Sequence, residues 1–269
     1  SHVGTRVGMA TVRSDRAAPA HDHLRYDRIG TRYSKHRRAD QRIARQVERA
    51  LGQARSVVNI GAGTGSYEPE GRRVVAVEPS AVMIAQRHRR AAPAVRARAE
   101  ELPFPDRCFD AAMATLSVHH WSDLEAGMAE MRRVVRDRCV IFTWEQEVLN
   151  RNLWFIADYL PELGELDRAL FPDVAEVASH LLVERVEVVP VPADCTDGFG
   201  GAYWRRPEAY LDPAVRSSIS GLALLEERVV ARGVARLARE LENGTWDAKY
   251  GHLRNLPELD LGYRLIVGR

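Results

Sequence analysis

Val57-Val58-Asn59-Ile60-Gly61-Ala62-Gly63-Thr64-Gly65 is a short apolar run that breaks into three glycines at alternate positions. The run, rich in β-branched aliphatics, reads as a buried strand, and the glycines end it in a tight turn. Glycine has no Cβ, so such a turn reaches backbone angles closed to other residues and lets a ligand lie against the main chain. A second apolar run, Val74-Val75-Ala76-Val77, ends in Glu78, seventeen residues beyond Gly61. A carboxylate at the end of the second strand is placed to accept hydrogen bonds from both hydroxyls of a ribose. Turn and acid together point to an adenosine-type ligand. In the dinucleotide pattern G-x-G-x-x-G the third glycine would fall on Ser66, and here the glycine comes one residue early, a spacing that disfavours NAD and FAD.

Working outward, Ser80 followed by Ala81 to Arg90 reads as an N-capped helix. Phe109 to Ser117 and Cys139 to Thr143 supply two more buried strands. A helix from Asp123 to Val135 separates them, with Leu124, Met128, Met131 and Val135 at helical spacing. Strands that alternate with helices imply right-handed crossovers and a parallel sheet. Upstream, Asp22 to Leu51 reads as helices broken near Gly30, with Ile43, Val47 and Leu51 on one stripe. Downstream, strands are expected at Val183 to Val191 and Leu259 to Val267, with about 65 residues between them, too many for a plain loop. The Ala202 to Pro207 turn and helical stretches at Pro213 to Leu225 and Glu227 to Glu242, the latter ended by Asn243-Gly244, make that interval a helical insertion. The expected division is a flexible tail over 1–20, N-terminal cap helices over 21–53 and a ligand-binding core over 54–145. A helical cap and substrate region follows over 146–258, with one core strand near 183–191, and then a final core strand over 259–269.

The 269 residues are 45% hydrophobic and 28% charged, which excludes disorder along the whole length and allows a sizeable core. Lys and Arg number 39 against 37 Asp and Glu, a net +2 too small to argue for nucleic acid or an acidic membrane as partner. The balance is uneven, since residues 1–56 hold 13 basic and 5 acidic side chains. Cys108, Cys139 and Cys195 show no C-x-x-C spacing, which argues against a zinc cage or a disulfide framework. No run approaches the roughly 18 to 20 apolar residues of a membrane span, and Ser1 to Ala20 has no apolar stretch of the secretory kind. A cytoplasmic protein is expected.

Four blocks, in this order, resemble the class I S-adenosylmethionine-dependent methyltransferases, in particular the group that includes the ubiquinone and menaquinone C-methyltransferases. They are Val57 to Gly65, Val74 to Ser80, Ala99-Glu100-Glu101-Leu102-Pro103-Phe104-Pro105-Asp106, and Phe109-Asp110 through His119-His120-Trp121. Tyr33-Ser34-Lys35-His36-Arg37-Arg38-Ala39-Asp40 is similar to the Tyr-x-x-x-Arg segment with which many of these enzymes close over the cofactor. The resemblance implies an α/β, Rossmann-like seven-strand methyltransferase sheet, its last strand antiparallel, with a helical cap. It implies S-adenosylmethionine as cofactor, S-adenosylhomocysteine as product and no metal. By the same resemblance the Gly61, Ala62, Gly63 and Gly65 turn passes under the methionine and ribose, and Glu78-Pro79 holds the ribose. Ala99 and Glu100 face the adenine, Leu116 and Ser117 border the sulfonium and its methyl, and Tyr33 and Arg37 cover the carboxylate. Asn59 reaches the methionine amino group through water. It stands where the family usually has an acid, so it brings no full charge. Arg98 likewise replaces an acid that often precedes the Ala-Glu pair.

Methyl transfer from a sulfonium is an in-line displacement in which the cofactor brings reactivity and the protein alignment. An amine acceptor needs only to arrive neutral, whereas a hydroxyl or carbon acid gains from a base tuned near working pH. His119, His120 and Glu145 are the candidates; the competing roles are packing of the cofactor loop and a solvated loop carboxylate. Trp144, Trp154, Tyr203, Trp204 and Arg205 are candidates for the acceptor pocket, with cap core as the competing role of the aromatics. The expected partner is a small organic acceptor, such as a specialised metabolite, with no membrane and no nucleic acid. Two alternatives stand beside it. The basic N-terminal segment suits a tRNA- or rRNA-modifying methyltransferase, although no recognised RNA-binding module is appended. The other is a non-catalytic nucleotide-binding or NAD-dependent Rossmann protein.

Overall fold

The computed structural model describes residues 36–269. The expected tail over 1–20, the helices expected before residue 36 and Tyr33 lie outside the described residues. At the centre is β1 (Ser56–Ile60), buried along its whole length. Val57 enters one apolar cluster while Val58 and Ile60 enter another, so alternate side chains feed both faces of the sheet. The sheet runs in the order β3 (Ala94–Val95), β2 (Arg73–Val77), β1, β4 (Phe109–Thr115), β5 (Val135–Trp144), β9 (Tyr263–Gly268), β6 (Val183–Val188). The first five are parallel, and β9 is antiparallel to both its neighbours. A separate two-stranded ribbon pairs β7 (Val191–Pro192) with β8 (Glu258–Leu259). The seven-strand sheet with an antiparallel last strand is thus present, whereas the single strand expected over Val183 to Val191 is two. The one expected from Leu259 begins at Tyr263, after Gly262 turns the chain at φ +91°.

Helices start where side chains cap them. Asp40 accepts the Arg42 N–H at α1 (Gln41–Ala50), Ser80 that of Met83 at α2 (Ala81–Ala85), and Asp123 that of Ala126 at α3 (Leu124–Arg133). Two local expectations are corrected. The helix expected to reach Arg90 stops at Ala85, because Arg87 turns inward and donates to the Gly63 carbonyl. Val135 opens β5 opposite Phe109 instead of closing α3. No helix crosses from β1 to β2: Gly61, Gly63, Gly65, Tyr67 and Gly71 all have positive φ, and Pro69 lacks an N–H, so the segment cannot wind into a right-handed helix.

Over one face of the sheet lies the cap, built from α4 (Gln146–Asn152), a π-helical turn (Phe155–Tyr159), α5 (Pro161–Leu170), α7 (Pro213–Arg216), α8 (Glu227–Glu242) and α9 (Thr245–Tyr250), while α6 (Val174–Ser179) packs with α3 on the other face. Three 3-10 turns, at Pro207–Leu211, Ser220–Leu224 and Gly251–Asn255, join these helices. Its centre is aromatic. Trp154, Trp204, Trp246 and Tyr210 are fully buried, and Phe155 stacks on Tyr210 at 4.0 Å between centroids. The Trp154 Nε1–H donates to the Trp204 carbonyl at 2.8 Å and that of Trp204 to Val191 at 3.0 Å, so both indoles have their polar edge satisfied inside the cap.

One buried carboxylate fastens cap, N-terminal segment and glycine connection together. Asp197 accepts from Arg37 Nε at 2.8 Å, from the Tyr67 hydroxyl at 2.6 Å and from the Gly198 N–H at 2.7 Å. The Arg37 and Asp197 side chains are 11% and 0% exposed. Burial and the Asp197 charge hold the Tyr67 hydroxyl well above its usual pKa, so it stays a donor. Removing one member of a buried pair leaves the other charge without compensation. Asp197→Ala should therefore lower the unfolding free energy by about 3–5 kcal/mol in urea titration; a loss below about 1 kcal/mol would mean that water replaces the carboxylate.

Candidate functional site

The carboxyl edge of β1, β2 and β4 is where an open α/β sheet leaves a crevice for ligands. Glu78, at the end of β2, is buried, and its two oxygens accept the Gly63 N–H at 2.8 Å and the Ser80 N–H at 2.9 Å. It thereby ties the glycine turn to the start of α2. A carboxylate offers roughly four acceptor positions, so holding the turn and holding a sugar are compatible. Gly61 has φ +69°, and a Cβ there would stand 2.7 Å from the Ser117 Cβ. Glycine is thus required where β1 and β4 approach at the crevice floor. Ser117 closes that approach by donating to the Ile60 carbonyl at 3.0 Å.

On the β3 side, Ala99 is buried and Glu100 accepts from the Ser122 N–H, the Ser122 hydroxyl and the Asp123 N–H, with Arg98 3.5 Å away. The Ala99-Glu100 segment is therefore fixed to the loop after β4. Arg98 also donates to Ser122, so it clamps this loop. Three of the buried side-chain atoms without a partner border the crevice: Asn59 Oδ1, Arg87 Nε and Trp121 Nε1. An unpaired buried polar atom costs about 1–3 kcal/mol. Their concentration fits a polar ligand, and an adenosyl sulfonium with its amino-acid end offers matching donors and acceptors.

Beyond β4 the chain turns sharply. Leu116 sits at φ +51°, a conformation that is costly for a branched side chain, and its N–H donates to the Phe142 carbonyl at 2.8 Å. The strain aims Leu116 and the following 3-10 turn (Val118–His120) at a cavity of about 110 Å³ under the cap. Its walls are largely apolar, Leu149, Leu153, Ile156, Phe171, Phe199 and Tyr263 among them, and Arg37, His119 and Asp167 bring the charged or titratable groups. His119 is wedged against Trp144 at 4.6 Å, Phe171 at 5.1 Å and His120 at 3.7 Å between ring centroids. Burial, with His120 and Arg37 adding to it, pushes its pKa well below the ordinary value, so the imidazole is neutral at pH 7. Asp167 accepts from Trp144 Nε1 at 2.9 Å; burial raises its pKa to about 6 against that hydrogen bond.

The candidates from the sequence separate into two groups. Asn59, Gly61, Ala62, Gly63, Gly65, Glu78, Pro79, Ala99, Glu100 and Ser117 gather along the crevice, and Arg37, Leu116, His119 and Trp144 line the cavity. His120 stacks behind His119. Glu145 instead pairs with Arg264 at 2.6 Å and does not line the cavity. Trp154 and Trp204 are cap core, Tyr203 packs on Tyr210 under Arg206, and Arg205 donates to the Leu256 carbonyl at the surface. The sequence reading missed Tyr67, Asp167, Phe171, Asp197, Phe199 and Tyr263. Only Asp197 carried a local signal, an acid between Cys195 and Gly198-Phe199-Gly200 in the insertion.

The chain is similar to known methyltransferases. A family model described as a methyltransferase domain matches residues 58–143. A demethylmenaquinone methyltransferase of Mycolicibacterium paratuberculosis is 30% identical over 190 residues, which span 67% of this chain and 80% of that protein. A crystal structure from Anabaena variabilis, provisionally assigned as a methyltransferase of an antibiotic biosynthesis pathway, superposes with a TM-score of 0.79 at 36% identity, over 88% of this chain and 100% of that one. The [4+2]-cyclase SpnF superposes with a TM-score of 0.51 at 15% identity, over 94% and 97% of the two chains, a likeness of fold alone.

Asp167 provides a signature of the cavity. Its folded pKa of about 6 lies above the unfolded value of 3.8, so the folded state holds the proton more tightly, and stability is lost as pH rises between those values. Asp167→Asn removes the titration and keeps an acceptor for Trp144. Relative to wild type, the variant should gain roughly 3 kcal/mol of unfolding free energy between pH 4 and 7. Denaturant titrations at a series of pH values measure it; a constant difference between the two proteins would contradict the buried, cavity-facing carboxylate.

Proposed function

The chain belongs to the class I S-adenosylmethionine-dependent methyltransferases, and from that premise we propose that it methylates a small, largely apolar acceptor seated in the cavity beneath the cap, with His119 as the base. The observation that carries this reading is the position of His119: neutral, its Nδ1 without a partner, on the wall of an apolar cavity that opens beside Leu116. Bound S-adenosylmethionine supplies a methyl group activated by a sulfonium. Glu78 and the glycine turn hold the sugar end, Ala99 and Glu100 border the base, and Leu116 with Ser117 directs the methyl toward the cavity. The apolar walls exclude water and fix the acceptor's orientation. An acceptor atom that sheds a proton as it takes the methyl passes that proton to the His119 imidazole. Trp144 and Phe171 keep the ring in place.

Support for a small acceptor comes from enclosure, since a cavity walled by the cap suits a molecule that enters whole. The quinone named for the mycobacterial relative is an acceptor of this kind, apolar and able to yield a hydroxyl or an acidic ring carbon on reduction. The test is transfer of label from methyl-labelled S-adenosylmethionine to a panel of apolar acceptors, reduced demethylmenaquinone first, beside bulk RNA. Label in an organic-soluble product is expected, and label in RNA alone would overturn the reading. With an acceptor in hand, His119→Gln should lower kcat by about 10²- to 10⁴-fold. S-adenosylhomocysteine affinity should stay unchanged in that variant. Because the ring remains neutral well below pH 6.5, kcat should show no histidine-like fall between pH 7.5 and 6.5; a kcat that halves near pH 6.5 would argue against His119 as the base.

A further inference from the structure

The segment after the glycine turn holds one member of a buried charge pair. Where a helix follows such a turn, its N-terminal N–H groups and dipole receive an anion. Here the chain from Gly61 to Arg72 forms no helix, so that device is missing. In its place Glu68 and Arg87 form a buried ion pair at 2.5 Å, their side chains 9% and 5% exposed. Arg87 also donates to the Gly63 carbonyl at 3.0 Å and to that of Ala92 at 3.0 Å. Glu68 accepts from Asn59 Nδ2 at 3.2 Å and from the Ala92 N–H at 3.0 Å.

Two atoms in this cluster remain without partners, one donor and one acceptor: Arg87 Nε and Asn59 Oδ1. Both are buried. A ligand that satisfies both brings an acceptor to Arg87 Nε and a donor to Asn59 Oδ1, and beside one cationic and one anionic side chain the carboxylate and ammonium of an α-amino acid supply them. The pair packs directly against the turn: a Cβ on Gly65 would stand 3.1 Å from Glu68 Oε2 and 3.3 Å from Arg87 Nη1. The position of Asn59 explains how a neutral side chain serves in β1, because its amide holds a full carboxylate, that of Glu68, beside the turn.

We propose that the Glu68–Arg87 pair is the subsite for the amino-acid end of the cofactor, Glu68 with Asn59 Oδ1 receiving the α-ammonium and Arg87 the α-carboxylate. This assignment rests on the methyltransferase reading above. It gives Glu68 and Arg87 a binding role in addition to their hold on the turn, and the two roles separate by ligand. Calorimetry with S-adenosylhomocysteine, its decarboxylated analogue and 5′-methylthioadenosine, which lacks the amino-acid end, makes the distinction. Glu68→Gln should weaken S-adenosylhomocysteine about tenfold or more and change methylthioadenosine by less than about twofold. Asn59→Asp added to Glu68→Gln should recover part of the loss. Arg87→Lys keeps the ion pair and removes the Nε–H; it should weaken S-adenosylhomocysteine and spare the decarboxylated analogue. Equal weakening of all ligands by these variants, or no weakening of any, would overturn the proposal. Wild-type protein that binds methylthioadenosine but gains nothing from the amino-acid end would overturn it while leaving the methyltransferase reading intact. Wild-type protein that binds none of the three would end both.

Discussion

The Asp197 carboxylate is the constraint on which the site depends. It belongs to the inserted cap region, yet its partners come from the N-terminal segment through Arg37 and from the β1–β2 connection through Tyr67. Arg37 in turn lines the acceptor cavity, and Tyr67 packs edge-on against Phe142 of β5. The cavity thus has a floor of sheet, a lid of cap and a shared polar joint between them. The close approach of the cap loop to the N-terminal segment leaves no room for a side chain at Gly198, where a Cβ would lie 2.4 Å from the His36 carbonyl oxygen. A joint of this kind holds the cap, the N-terminal segment and the β1–β2 connection in one body.

The absence of a helix after the glycine turn follows from the same economy of chain. Between Gly61 and Arg72 the backbone must make a left-handed turn several times, deliver Tyr67 to Asp197 and bring Glu68 back under Gly65. A helix would point these adjacent side chains about 100° apart and would bury neither at its present position. Loss of the helix leaves no oriented N–H groups at the turn, and the Glu68–Arg87 pair stands beside it. Arg87 turns inward where α2 ends at Ala85, so the short second helix and the missing first one are a single structural adjustment.

The strand pattern was legible because it is local. Apolar runs of four to seven residues, each ended by a turn or a cap, identify β1, β2, β4 and β5 whatever lies around them, and Ser80 and Asp123 mark helix starts by their own side chains. Glycines and acid of the crevice were legible for the same reason, since turn, strand and carboxylate fall within eighteen consecutive residues. Asp167 and Asp197 were not. Each acquires its role only when it meets a residue 23 or 130 positions away, Trp144 and Tyr67 respectively; nothing beside Asp167 separates it from a solvated acid, and the glycines after Asp197 mark a turn without naming its partner. Trp154 and Trp204 misled in the opposite direction: an aromatic cluster reads alike whether it walls a pocket or fills a core, and only the satisfied indole N–H groups show which.

The cavity places two titratable groups in one apolar enclosure and displaces both toward their neutral forms, the His119 imidazole downward and the Asp167 carboxyl upward to about 6. One cause, burial, acts on both. Its consequence for chemistry is asymmetric. Displacement keeps His119 unprotonated throughout the physiological range and makes it a weaker base, whereas at neutral pH Asp167 retains its charge, held by the Trp144 N–H and by the charge of Arg168. An acceptor that brings a hydrogen-bond donor to Asp167 relieves that cost, and one that brings a second anion adds to it. Under the proposed function, the enclosure would favour neutral, donor-bearing molecules with an apolar body, through desolvation before any particular contact is made.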